Sequence, residues 1–144
     1  MINSRKIPKT IQVKRKDFIN NQIKDKSVMH IGCTGGLLGE ENELEHINNY
    51  NKLEDTHYLF SKSAKEISGI DISKKKIDFL KSQDFENLYV ADICDPNFNL
   101  EKKYDIILFP NIIEHLSNVG LALQNIKKMM KEDSHLIITT NNAF

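Results

Sequence analysis

The sequence has no run of about 18 apolar residues, no excess of either charge, no tryptophan and only two cysteines. Each shortage removes a class of protein. Without a long apolar run there is nothing to cross a bilayer as a helix. The opening MINSRKIPKTIQVKRKDF is basic but lacks the apolar stretch of a secretion signal. Twenty Lys plus Arg balance twenty Asp plus Glu, so no global field draws the chain to nucleic acid or an anionic membrane. Cys33 and Cys94 share no metal-ligand spacing and are too few for the disulfide framework of a small secreted domain. These readings place a soluble, unexported protein in the reducing cytoplasm. The missing tryptophan, alongside abundant Ile, Lys and Asn, reads as base composition and carries no functional weight.

What is present is a regular alternation. A chain of 144 residues suffices for one domain of ordinary size. Val13, Phe18, Ile19 and Ile23 fall at helical spacing with Lys and Asn opposite them, so residues 1–26 read as a helical segment ahead of a domain over 27–144. The positive charge of this segment fits a solvated helix face better than a surface for an anionic partner. SVMHI is a short apolar run ending in GCTGG, the pattern of a buried parallel strand and a glycine turn. Residues 40–55 are polar enough for a mobile loop or a marginal helix, placed to lie over a site. Tyr58, Leu59, Phe60 and Ala64 suggest the next helix. Strands follow at 66–70, 88–91, 105–109 and 136–139, with helices at 74–81 and 119–130. Strands spaced by helices imply right-handed crossovers and an α/β, doubly wound, mostly parallel sheet.

Ligands of such sheets lie beyond the carboxyl ends of the strands. Gly32, Gly35 and Gly36 permit a tight turn and close approach to a ligand, and a plain structural turn fits them equally well. Asp71 can accept hydrogen bonds from both hydroxyls of a ribose; its alternative role is to cap the helix that begins near Ser73. Asp92 can accept from an adenine amino group, with Ile72 and Ile93 as apolar neighbours of the base, or be a plain loop acid. Asn111, Glu114 and His115 have a spacing that would put them on one helix face.

HIGCTGG, EISGIDIS, LYVADICD, YDIILFPNIIEHLSN and LIITTNNAF, in that order, resemble the successive motifs of class I S-adenosylmethionine-dependent methyltransferases over about residues 27–142. The resemblance implies a Rossmann-like methyltransferase fold. It also implies that Gly32, Cys33, Thr34 and Gly36 pass along the methionine moiety, Asp71 holds the ribose, Asp92 with Ile72 and Ile93 faces the adenine, and Asn111 sits beside the sulfonium. His57, on a helix that a subgroup carries before the second strand, is then near the cofactor, unless it is simply packed. Some O-methyltransferases of this fold use an E-x-x-E-H cluster to hold a metal. Asn111 replaces its first carboxylate here, which argues against a metal. Glu114 and His115 remain candidate catalytic groups, His115 as general base or both as residues that hydrogen-bond the loop in place.

Three departures stand out. His30 replaces the usual acid of the resemblance, Thr34 replaces the middle glycine, and the sequence stops before two strands of the family sheet. A sheet lacking those last strands has an uncovered edge, which a homo-oligomer or a partner chain would close. The expected activity is methyl transfer from S-adenosylmethionine to oxygen or nitrogen of a small polar acceptor, without nucleic acid or membrane. The alternative is a non-catalytic, degenerate partner subunit. A nicotinamide oxidoreductase is disfavoured, because GCTGGLLG is not G-x-G-x-x-G and Asp71 lies 35 residues beyond Gly36 rather than about 20.

Overall fold

In the computed structural model, residues 14–36 and 39–141 are described. The elements run α1 Arg15–Ile23, β1 Ser27–Ile31, α2 Glu40–Asn48, α3 Thr56–Ser61, β2 Glu66–Asp71, α4 Lys74–Ser82, β3 Leu88–Val90, β4 Tyr104–Pro110, α5 Val119–Lys128 and β5 Met130–Thr139. The five strands form one sheet in the order β3-β2-β1-β4-β5, parallel at every pairing. Strand order therefore reverses at β1, whose carboxyl end opens between β2 and β4. This is the Rossmann-like architecture with β3 and β5 as its outer described strands.

β1 has all five residues buried, as an apolar central strand covered on both faces must. Its alternate side chains enter two cores. Met29 and Ile31 join Ile70, Ile107, Phe109, Ala122 and Ile126 beneath α5. Val28 joins Ile106, Leu108 and Phe60 with Ile19 and Ile23 of α1. Burying each of those isoleucines stabilises the packing of α1 by roughly 1.5–3 kcal/mol. Phe18, on the same helix, is 42% exposed. Val13 lies outside the described residues.

Short capping interactions fix where the crossover helices begin. Asp55 Oδ1 accepts from the Tyr58 amide at 2.7 Å, Ser73 Oγ from Lys76 at 3.2 Å and Asn118 Oδ1 from Leu121 at 3.0 Å. Residues 40–55 contain a nine-residue helix that buries no side chain, so its helicity rests on local bonds and a few contacts with α4. Two expected boundaries move. Ala64 leaves the helix for a bridge with Lys24. α5 ends at Lys128, because Met130 already pairs with Tyr104 in a β5 that starts six residues before Leu136. The polar start of β5 hides this, since its residues are held by backbone pairing and by Ser134 Oγ donating to the Tyr104 carbonyl at 2.5 Å. No described helix is long and apolar enough to cross a membrane.

Gly69 shows how tightly β2 lies against the glycine turn. A Cβ there would sit 2.6 Å from Cys33 Sγ and 2.8 Å from Leu88 Cδ2. Gly69→Ala is expected to lower stability by about 1–3 kcal/mol through overpacking, read as a lower urea midpoint with unchanged slope.

Candidate functional site

Past Ile31 the chain turns at Gly32, φ +71°, with the Gly32 and Cys33 amides both donating to the Ile70 carbonyl at 2.8 and 3.2 Å. This keeps the turn against the end of β2. A Cβ on Gly32 would run into Ile112 Cδ1, so glycine is required both for its backbone angle and for this approach. Gly35 and Gly36 also have positive φ and are exposed. Between Gly32 and Gly35 the side chains are buried: Cys33 is 2% exposed among Ile77, Leu80 and Leu88, and burial pushes its thiol pKa up, with help from the nearby Asp71 charge.

Asp71 closes β2 and is 8% exposed. Its Oδ2 accepts from the Thr34 hydroxyl at 2.8 Å and the Thr34 amide at 3.3 Å, and its Oδ1 from the Ser73 amide at 3.0 Å. Asp71 does not cap α4; Ser73 does. Lys76, 1% exposed, extends from α4 to donate to the Gly35 carbonyl at 2.5 Å. Ser73 Oγ also donates to Glu43 of α2, tying that helix to the turn. Sequence patterning missed Lys76, because KKKID reads as a solvated helix face. Thr34 stood out only as a missing glycine.

Around Asp71 the expected base-binding residues separate. Ile72 is 51% exposed, while Ile93 is buried in the core with Ile70 and Phe98. Asp92 is exposed and accepts from the Cys94 amide at 2.8 Å. At the end of β4, Asn111 takes a left-handed backbone angle, φ 51°, which asparagine tolerates better than most residues. Its amide donates to the Thr139 carbonyl at 2.7 Å, joining the ends of β4 and β5. The expected shared helix face for Asn111, Glu114 and His115 does not form. The reversal at Asn111 precedes a single 3-10 turn over Ile113–His115, and α5 starts only where Asn118 can cap it. Glu114 and His115 are exposed at this rim, and their side chains bond to no other described residue. Beside Gly36 opens a cleft of about 420 Å³ whose walls include His46, Tyr50, Asn51 and Asp55.

His30 and His57 meet beneath the turn. Their Nδ1 atoms are 3.0 Å apart and the rings stack at 5.3 Å, with the edge of Phe60 against His30. One nitrogen donates and the other accepts, so a neutral pair satisfies the bond. Burial lowers the pKa of His57 to about 4; burial, then its neighbour His57, holds His30 well below the ordinary value of 6.5. Between those values the unfolded chain binds protons that the native pair refuses, so stability falls as pH drops from about 6.5 to about 4. The Lys131 ammonium holds Asp105 well below the usual carboxylate range, so that group titrates at more acid pH. Burial raises the Asp55 pKa, which partly offsets the loss at the acid end. From His57 alone, urea unfolding at pH 7 and pH 4.5 is expected to differ by roughly 2–3 kcal/mol, with the acid form weaker and His30 adding to the loss in the same direction.

A family model described as a methyltransferase domain matches residues 4–144. The chain is 27% identical over 134 residues to the ubiquinone biosynthesis O-methyltransferase of Pelagibacter ubique (strain HTCC1062), covering 88% of this chain and 48% of that protein. It is 31% identical over 125 residues to N-methyltransferase 4 of Papaver somniferum, covering 81% of this chain and 31% of that protein. The chain thus spans between about a third and a half of the curated relatives it matches. Among solved structures, Streptomyces venezuelae DesVI superposes with a TM-score of 0.60 at 14% identity, covering 85% of this chain and 48% of that one. The N-methyltransferase NodS from Bradyrhizobium japonicum WM9, in complex with S-adenosyl-L-homocysteine, gives 0.58 at 14%, covering 86% and 57%. Coclaurine N-methyltransferase bound to N-methylheliamine and S-adenosylhomocysteine gives 0.55 at 20%, covering 85% and 34%. With its glycine turn, its buried strand-end acid and its parallel order 3-2-1-4-5, the chain belongs to the class I methyltransferase-domain family.

Proposed function

We propose that this chain binds S-adenosylmethionine at the carboxyl ends of β1, β2 and β4 and directs its methyl group to oxygen or nitrogen of a small polar acceptor. The observation that carries this reading is Asp71, a carboxylate 8% exposed, held at the end of β2 against a turn with three positive-φ glycines. The surroundings fit the cofactor. Among the described residues, its chain neighbours aside, none comes within 4 Å of where a Cβ on Gly35 would stand, so a ligand can lie along its backbone. Beside the acid, Ile72 and Val90 offer about half-exposed apolar surface for a purine.

In this reading Asp71 accepts from the ribose, the turn from Gly32 to Gly36, with Cys33 and Thr34, backs the methionine moiety, Asp92 and Ile72 border the adenine with Ile93 packed behind them in the core, and Asn111 stands by the reacting end. Bound S-adenosylmethionine supplies an activated methyl on a sulfonium. The protein contributes position: most of the available acceleration comes from fixing donor and acceptor in line. His115, exposed at the rim after β4, can take a proton from an acceptor hydroxyl, with the exposed Glu114 next to it in the chain as the second candidate catalytic group. Of the segment 1–26 ahead of the domain over 27–144, α1 would act as the helix docked on that domain through Ile19 and Ile23.

A second reading, a degenerate subunit that keeps the fold without turnover, draws on one observation. Asp71 already has protein donors on both oxygens. Titration calorimetry with S-adenosylhomocysteine separates binding from its absence. Micromolar affinity is expected, weakened about tenfold to a hundredfold in Asp71→Ala through loss of charge-assisted hydrogen bonds. A folded chain that does not bind would overturn the cofactor reading. Binding without methyl transfer to any of a panel of phenols and amines would support the second.

A further inference from the structure

We infer that the Thr34 hydroxyl competes with the ribose for Asp71, so that this one side chain sets the affinity of the site for nucleosides. The inference rests on the proposed role of Asp71. A carboxylate offers about four acceptor positions, two on each oxygen. The amide and the hydroxyl of Thr34 take both positions on Oδ2, and the Ser73 amide takes one on Oδ1. One position is left. A vicinal diol gripped by a carboxylate needs two, so the second ribose hydroxyl can bind only where a protein donor withdraws.

Of the three donors, only the hydroxyl is free to leave. The Ser73 amide belongs to the chain leading into α4, and the Thr34 amide belongs to a turn fixed on both sides. On one side the Gly32 and Cys33 amides hold the Ile70 carbonyl; on the other, Lys76 holds the Gly35 carbonyl. The hydroxyl can rotate, but at a cost. Thr34 is 2% exposed and Asp71 is the only partner of its hydroxyl among the described residues, so a rotated hydroxyl would be left buried without a bond. As a β-branched residue, Thr34 also has few rotamers to choose from. Each binding event must therefore break an internal hydroxyl–carboxylate bond of the same kind as the one it makes. A glycine at this position has no such competitor.

The test is calorimetric titration of the whole chain with S-adenosylhomocysteine for the wild type, Thr34→Val, Thr34→Ala and Thr34→Ser. Thr34→Val removes the hydroxyl and keeps the shape, and Thr34→Ala serves if the valine variant does not fold. Either is expected to bind about tenfold more tightly than the wild type, while Thr34→Ser, which keeps the hydroxyl, stays within about twofold. The free Thr34→Val protein should at the same time unfold at lower urea, because Asp71 has lost a buried donor. A purely structural residue would weaken both folding and binding; gain in one with loss in the other is the signature of competition. The gain should also appear with adenosine and vanish with 2′,3′-dideoxyadenosine. Wild-type binding with no gain in the valine or alanine variant overturns the inference and leaves the role of Asp71 standing. Absence of binding in the wild type and in every folded variant overturns both.

Discussion

β1 must be satisfied on two edges and two faces at once, and the rest of the molecule follows from that demand. Its backbone pairs in parallel with β2 on one side and β4 on the other. Parallel neighbours cannot be joined by tight hairpins, so the chain must cross over the faces. Two of the helices that do so supply apolar cover for β1, α5 on one face and α3 on the other, where α1, which precedes β1, packs beside it. The same arrangement sends the carboxyl ends of all strands to one side. The glycine turn, Asp71 and Asn111 are neighbours there, although they are far apart in sequence.

The strands were legible in sequence wherever burial on both faces forced a continuous apolar run. SVMHI corresponds residue for residue to β1, and YDIILFP contains the predicted fourth strand. β5 was only half legible. Leu136, Ile137 and Ile138 form a short apolar run that ends at Thr139, but the first six residues of β5 are mostly charged or polar and are strand-like only because Tyr104 and its neighbours pair with them. The helix within residues 40–55 was weakly legible for a related reason: it buries nothing, so no periodicity was needed.

The site shows a sharper division. Asp71 and the glycine turn could be read from local pattern, because strand ends and glycines are local signals. The bonds that decide what Asp71 can do could not, since Thr34 lies 37 residues from it and Lys76 lies 41 from Gly35. His30 was visible only as a departure and His57 only as a histidine near the site. Their contact across 27 residues shows why the departure is tolerated: two neutral imidazoles satisfy each other in a place too dry for an unpaired charge.

At the opposite end of the sheet, Asp105 clasps three elements. Its Oδ2 accepts from the Ser27 amide and hydroxyl, its own amide donates to Ser27 Oγ, and its Oδ1 takes the Lys131 ammonium at 2.7 Å. The starts of β1, β4 and β5 are cross-braced there by polar bonds that the strand-end loops do not share. The molecule thus has an anchored pole and an open one. A lineage of such chains can exchange residues in the open loops, altering what is bound and how tightly, without having to retune the brace that keeps the strands in register.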